Sequence, residues 1–255
     1  MNQTSQAFFR FYAELNDFLA PNRRFADCPF PFYTSTSVKD AIESFGVPHT
    51  EVDLILVNGE SVDFAHPLRD GVRVSVYPVF EALDITPAGR LRPKPLRIPR
   101  FVLDIHLGRL AAYLRMLGFD TLYRNDAGDE ELARISAAER RILLTRDLGL
   151  LKRGVVTRGY AVRATETRAQ LAEVVKRFDL LGLVTPFARC LRCNTALRKA
   201  GKMDVADRLP PGVSERYDEF RECPGCGRVY WKGSHYRRME RLIDSLRPPA
   251  GSTAT

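Results

Sequence analysis

Seven side chains in this sequence have types and spacings that could do chemistry: Asp104, Asp129 and Asp147, and the two CxxC pairs Cys190/Cys193 and Cys223/Cys226. Three carboxylates gathered on one rim repel one another unless a cation sits among them. All-oxygen ligation suits Mg²⁺ or Mn²⁺, which keep several waters, can activate one as a nucleophile, and neutralise charge on a phosphodiester. The thiols point to Zn²⁺. Two thiolates three residues apart make a knuckle, and two knuckles close a tetrahedral site that is structural because no coordination position stays open. Gly227, just after the second pair, lets backbone N–H groups face sulfur without a Cβ clash. The gap between the pairs is long for a ribbon, so an inserted loop is expected around Pro210, Pro211 and Gly212. Cys28 stands alone and reads as a small buried hydrophobe, with no His or basic cluster beside it in sequence.

The carboxylates gain meaning from the elements that must position them. Residues 101–103 read as a short strand. Leu107, Leu110, Ala111, Leu114 and Leu117 fall on one face of a helix that Gly118 ends, and 121–123 is again strand-like. A helix over 130–138, strands at 142–144 and 160–162, and a helix over 168–178 continue the alternation, which implies a parallel sheet with right-handed crossovers over residues 100–184. Ligands of such sheets bind outside the carboxyl ends of the strands. Asp104 follows the first strand, Asp147 follows 142–144 and Thr145, and Asp129 opens the helix between them. Singly, each has a plainer reading: Asp104 and Asp129 as helix caps, Asp147 as cap of a short turn at 148–151. Arg109, Arg115, Arg146 and Lys152 are placed to hold phosphates, and Asp126 could supply a fourth carboxylate. Asp120 is expected to start a strand, and His106 to touch substrate or to pack.

Ahead of this domain, residues 1–83 read as strand (8–12), strand (28–33), helix (38–45, capped by Ser37 and ended by Gly46), strand (53–57, entering the turn Asn58-Gly59) and strand (72–79). That order resembles the β-grasp fold of ubiquitin-like sulfur carriers. Those carriers work through a terminal Gly-Gly that is missing here, so an adaptor or substrate-presenting role is the expectation. Residues 84–99, with Pro87, Pro93, Pro95 and Pro99 among arginines and lysines, read as a linker, and 248–255 as a disordered tail. The net charge of +8 is uneven: residues 1–90 hold about 7 basic and 12 acidic side chains, leaving about +13 on the rest. A field of that sign attracts polyanions. Tyr230, Trp231, Lys232, His235, Tyr236, Arg237 and Arg238 interleave aromatics with cations as base-stacking surfaces do, although the aromatics could equally cover the ribbon's own core. No run approaches the roughly eighteen apolar residues of a membrane span, and the start lacks a signal-peptide layout, so the expected compartment is the cytoplasm.

The segments FVLDIHLGRLA from Phe101, LRMLGFDT from Leu114, DEEL from Asp129 and RILLTRD ending at Asp147 follow one another in an order that resembles the Mut-seven C-terminal RNase family, a PIN-like branch of nucleases. The resemblance covers 100 to about 240 and, with the ubiquitin-like front module, nearly the whole chain. It implies an α/β fold with a PIN-like parallel-sheet domain, an N-terminal β-grasp domain and a C-terminal zinc ribbon over 185–247. It also implies metal-dependent cleavage of RNA, single-stranded or structured, tRNA or mRNA among the candidates. Asp104, Asp129 and Asp147 then form the acidic site, with Thr145 holding the third carboxylate. Two other outcomes stay open: a non-catalytic zinc-ribbon adaptor that binds RNA, and an RNA-modification or sulfur-transfer component linked to the β-grasp module. The front module is expected to meet a protein partner.

Overall fold

The computed structural model describes residues 5–33, 36–78 and 99–246, the side chain of residue 235 excepted. In chain order the strands and helices are β1 (Ser5–Phe11), β2 (Cys28–Phe32), α1 (Val38–Ser44), β3 (Val52–Val57), β4 (Glu60–Ser61), β5 (Arg73–Pro78), β6 (Arg100–Leu103), α2 (Gly108–Met116), β7 (Asp120–Tyr123), α3 (Asp129–Glu139), β8 (Ile142–Thr145), α4 (Leu148–Leu151), β9 (Gly159–Ala161), α5 (Thr167–Arg177), β10 (Arg198–Ala200), α6 (Lys202–Val205), α7 (Val213–Arg216), β11 (Phe220–Glu222), β12 (Val229–Trp231) and α8 (Ser234–Leu246). The linker expected over 84–99 lies outside the described residues except for Pro99, and the tail expected over 248–255 lies wholly outside them. The chain divides into two compact units, Met1–Arg97 with Ala127–Ala161, and Ile98–Asp126 with Val162–Thr255.

The first unit contains a five-stranded sheet in the order β2-β1-β5-β3-β4, with β1 and β5 parallel and the remaining pairs antiparallel. This is the ubiquitin-like sheet expected from the sequence. Alternation in β1 sends Ala7, Phe9 and Phe11 inward, and the rings of Phe9 and Phe11 meet Phe45 at 5.4 and 5.2 Å. Burying each of the two phenylalanine rings contributes about 1.5–3 kcal/mol. Ser37 caps α1 by accepting the Asp40 N–H, and Gly46, at φ +97°, ends it in a conformation other residues resist. Between β1 and β2 the chain forms a 3₁₀ turn at Ala13–Phe18, which no periodicity announced. Asn16 pins it, its buried amide donating to Phe11 and Ala13 carbonyls and accepting from Phe25 N–H. Cys28 is buried, and burial pushes its thiol up, as suits an inert hydrophobe.

The same unit takes in α3, β8, α4 and β9. Asp129, Glu130 and Glu131 occupy the first turn of α3, where their charge complements the helix dipole. All four residues of β8 are buried, and β8 pairs in parallel with β9, Thr145 opposite Ala161. A continuous apolar run of this kind marks a strand covered on both faces. Gly159 is closely packed: a Cβ there would lie 2.5 Å from a Leu151 methyl group, which would have to move aside.

The second unit holds the parallel pair β6 and β7, the helices α2 and α5, and a three-stranded antiparallel ribbon ordered β10-β11-β12, with α8 following it. Leu110, Ala111 and Leu114 form the buried face of α2 as their spacing predicted. Gly118 ends the helix at φ +98°, where an added Cβ would stand 2.2 Å from the Thr185 carbonyl oxygen. The insertion between the cysteine pairs contains β10, α6 and α7, a larger piece than the loop expected around Pro210. Parallel strands with interleaved helices, a β-grasp sheet and a cysteine-bearing ribbon give the mixed α/β class read from the sequence.

Candidate metal centre and candidate active site

The four ribbon cysteines converge. Ligand atoms of Cys190, Cys193, Cys223 and Cys226 all lie within 4.8 Å of one another. Among the described residues this is the one group of three or more His, Cys, Asp or Glu to do so. The Cys190 and Cys226 sulfurs are 3.6 Å apart and those of Cys193 and Cys223 are 3.3 Å apart. A Zn–S bond of about 2.3 Å implies sulfur–sulfur edges of roughly 3.8 Å in a tetrahedron. The cluster is thus the right size and chemistry to hold a metal such as zinc.

Each knuckle has the same backbone. After the second cysteine of each pair the chain turns left-handed, at Asn194 (φ +67°) and Gly227 (φ +70°). Asn194 N–H donates to Cys190 O, and Gly227 N–H to Cys223 O. Glycine takes that conformation freely and asparagine is the residue that next tolerates it. Burial resists ionisation of Cys193, but its hydrogen bonds with Thr195, Cys223 and Cys190 outweigh it and bring the thiol down to about 6. Burial also opposes ionisation of Cys190, where the Tyr230 hydroxyl, 3.1 Å from the sulfur, tips the balance downward. Burial pushes Cys223 up to about 12. Metal binding would draw all four into the thiolate form.

The knuckle at Cys190 is fastened to β7. Asn194 donates from its side-chain nitrogen to Asp120 (2.8 Å) and accepts from Thr121 N–H (2.9 Å). Arg115, only 6% exposed, donates from Nε to Thr121 O and from Nη1 to the carbonyls of Leu191 and Arg192. Burial lowers its pKa, opposed by the charges of Cys190, Cys193, Asp120 and Tyr123. Arg115 was expected to hold phosphates. In the structure its Nε and Nη1 donate to main-chain oxygens, and its cation sits beside the thiols. On the far knuckle Arg208 donates to Gly227 O and pairs with Glu222 at 3.0 Å. Asn194 and Arg208 carry no role in the sequence reading, although Asn194 stands where Gly227 stands in the other pair, and Tyr230, read there as a stacking or core-covering aromatic, proves to be a partner of Cys190.

The three aspartates each sit where a strand or loop gives way to a helical turn. Asp104 follows β6, is 6% exposed, and accepts the His106 N–H, capping the 3₁₀ turn Ile105–Leu107. Asp147 follows β8, is exposed, and caps α4 by accepting the Gly149 N–H at 2.7 Å. Its own N–H goes to the buried Thr145 Oγ1 at 2.9 Å, a bond to the backbone of Asp147, whereas the expectation was a contact with its carboxylate. Asp129 is the exposed first residue of α3, and the cap position belongs to Gly128. Asp126 is exposed, and Arg124 engages both its oxygens at 3.1 and 3.0 Å and holds its carboxyl below the usual range. Arg109 and Arg146 are exposed. Lys152 is half-buried and donates to the Glu43 carbonyl at 2.7 Å.

The family model described as Mut7-C RNAse domain matches residues 99–243, and the one described as Mut7-C ubiquitin matches residues 4–84. Comparison with curated proteins and with solved structures gave no match. No helix among the described residues is long and apolar enough to cross a membrane.

Proposed function

Because the chain belongs to the Mut7-C RNAse domain family, a membership that points to a ribonuclease, we propose that it is a metal-dependent ribonuclease whose acidic site is Asp104, Asp129 and Asp147. The observation that carries this reading is the family match, which spans all three positions. Their donor set suits Mg²⁺ or Mn²⁺, which are ions of oxygen ligands. When bound, such an ion supplies charge neutralisation at the phosphodiester and a water of lowered pKa. The chain's own residues do the positioning. Thr145 Oγ1 fixes the backbone of Asp147, and the caps at Asp104 and Asp147 restrain those side chains. The exposed guanidinium groups of Arg109 and Arg146 are available for phosphates, and the ribbon metal is a structural Zn²⁺.

A second reading, an RNA-binding adaptor without cleavage, draws on the same two caps. Each gives one carboxylate oxygen an occupation inside the protein, which is the plain role of a cap aspartate. The two readings separate in one assay. The purified chain, zinc-loaded, is given 5′-labelled single-stranded RNA with Mn²⁺, with Mg²⁺ or with neither, beside Asp104→Asn and Asp147→Asn. Cleavage that needs the divalent ion and falls at least a hundredfold in both variants is expected. Wild-type protein that binds RNA but never cuts it, with both variants binding as well or better, would establish the adaptor instead.

A further inference from the structure

The front module and the segment after Asp147 are joined by three hydrogen bonds that cross 107 to 110 residues of sequence. Lys152 Nζ donates to the Glu43 carbonyl at 2.7 Å. His49 bridges, with Nδ1 2.6 Å from Glu43 Oε1 and Nε2 2.9 Å from the Val156 carbonyl oxygen. Glu51 Oε1 accepts the Ala161 N–H at 2.7 Å. His49 is 8% exposed, and Glu51, Val156 and Ala161 are 0, 0 and 4% exposed. Surface charges do not settle in such places by chance: a buried carboxylate is costly unless hydrogen bonds satisfy it.

Both arms lead to Asp147. In one, Glu51 holds Ala161, which lies opposite Thr145 in the β8–β9 pair, and Thr145 holds the Asp147 N–H. β9 is a terminal strand of its sheet, so the N–H that Glu51 receives satisfies a main-chain group on an edge strand. In the other, Glu43 and His49 hold Lys152 and Val156, just beyond α4, the helix that Asp147 caps. The stretch 147–161 is therefore gripped at its far end and middle by the module.

We propose that the ubiquitin-like module is an internal clamp for the catalytic segment, with Glu43, His49 and Glu51 as positioning residues for Asp147. Its partner is residues 147–161 of its own chain. The clamp stands on the contacts above. Only its consequence for cleavage rests on the ribonuclease reading.

The test uses the full zinc-loaded chain with two breaking variants, His49→Phe and Glu51→Leu. Glu51→Gln keeps an acceptor for Ala161, and His49→Gln is a milder break should Phe melt the module. Arg73→Ala, which removes an exposed pair with Asp27, is the control. Amide hydrogen exchange is read over 148–161 and over β1 to β5, together with kcat and KM for RNA cleavage. Loss of a buried hydrogen bond to a charged group should speed exchange over 148–161 roughly tenfold or more, with β1 to β5 keeping their protection. Glu51→Gln should return it most of the way. Cleavage should lose kcat with KM unchanged, as expected when a catalytic group is misplaced while RNA contacts persist. Unchanged exchange over 148–161 in both breaking variants overturns the clamp. Faster exchange with unaltered kcat overturns the positioning role. If wild type cuts no RNA, the ribonuclease reading fails and the exchange result alone decides the clamp.

Discussion

Replacing Arg115 by Met separates two roles that this buried arginine could have, a main-chain anchor or a phosphate contact. Its three hydrogen bonds, 2.9 Å to Thr121 O, 3.1 Å to Leu191 O and 2.8 Å to Arg192 O, are charge-assisted. Such bonds contribute about 1.5–3 kcal/mol each when their partners cannot rehydrate. Thr121 is fully buried, so its carbonyl should carry about 2 kcal/mol, whereas Leu191 and Arg192 are exposed residues whose carbonyls water can reach, leaving about 1 kcal/mol each. Met no longer has to bury a cation, which returns about 1 kcal/mol, so the net cost is about 3 kcal/mol. Leu191 and Arg192 lie between Cys190 and Cys193 of the cluster that could hold zinc, so loosening them should also weaken zinc binding about tenfold. The checks are urea denaturation of the zinc-loaded chain and zinc competition against a chromogenic chelator. Arg115→Lys, with one ammonium for three carbonyls, should fall between Met and wild type. The reasoning is refuted if Arg115→Met unfolds within about 0.5 kcal/mol of wild type yet binds RNA more weakly with a salt slope smaller by about one, for that pattern belongs to a phosphate contact.

Three further outcomes are expected. Gly118→Ala combines a left-handed backbone with a Cβ 2.2 Å from Thr185 O, and should cost at least about 3 kcal/mol in urea denaturation. Thr145→Val leaves the Asp147 N–H without its acceptor and should cost about 1–2 kcal/mol, with Thr145→Ser restoring most of it; kcat for RNA should follow the same order. The chain should carry one zinc by atomic absorption, Cys223→Ser should carry none, and chelation should expose the ribbon 187–231 to protease while β1 to β5 keep their exchange protection.

Much of the architecture could be read from short-range pattern. Alternation at Ala7, Phe9 and Phe11, the Ser37 cap, the 3.6-residue spacing from Leu107 to Leu117 and the two CxxC pairs all act within one element, so sequence displays them directly. The cap role of Asp147 was legible for the same reason. What escaped notice depends on partners far along the chain. Arg115 looks like any arginine among aspartates until Leu191 and Arg192, more than seventy residues on, arrive to take its protons. His49 and Glu51 carried no local signal at all, since their meaning comes from Val156 and Ala161. The turn at Ala13–Phe18 was missed because its stabiliser, a single buried Asn16, imposes no periodicity.

The first compact unit draws on two stretches of chain that are not contiguous, Met1–Arg97 and Ala127–Ala161. During synthesis the module can complete its own sheet as soon as β5 leaves the ribosome, long before residue 161 exists. Until then Glu51 keeps its hydration and His49 faces solvent, and closing so long a gap adds a slow, entropically opposed step. A nascent chain halted near residue 127 should therefore already hold a folded module with a polar, unfilled seat, and release of the remainder should be seen as the late loss of water from that seat.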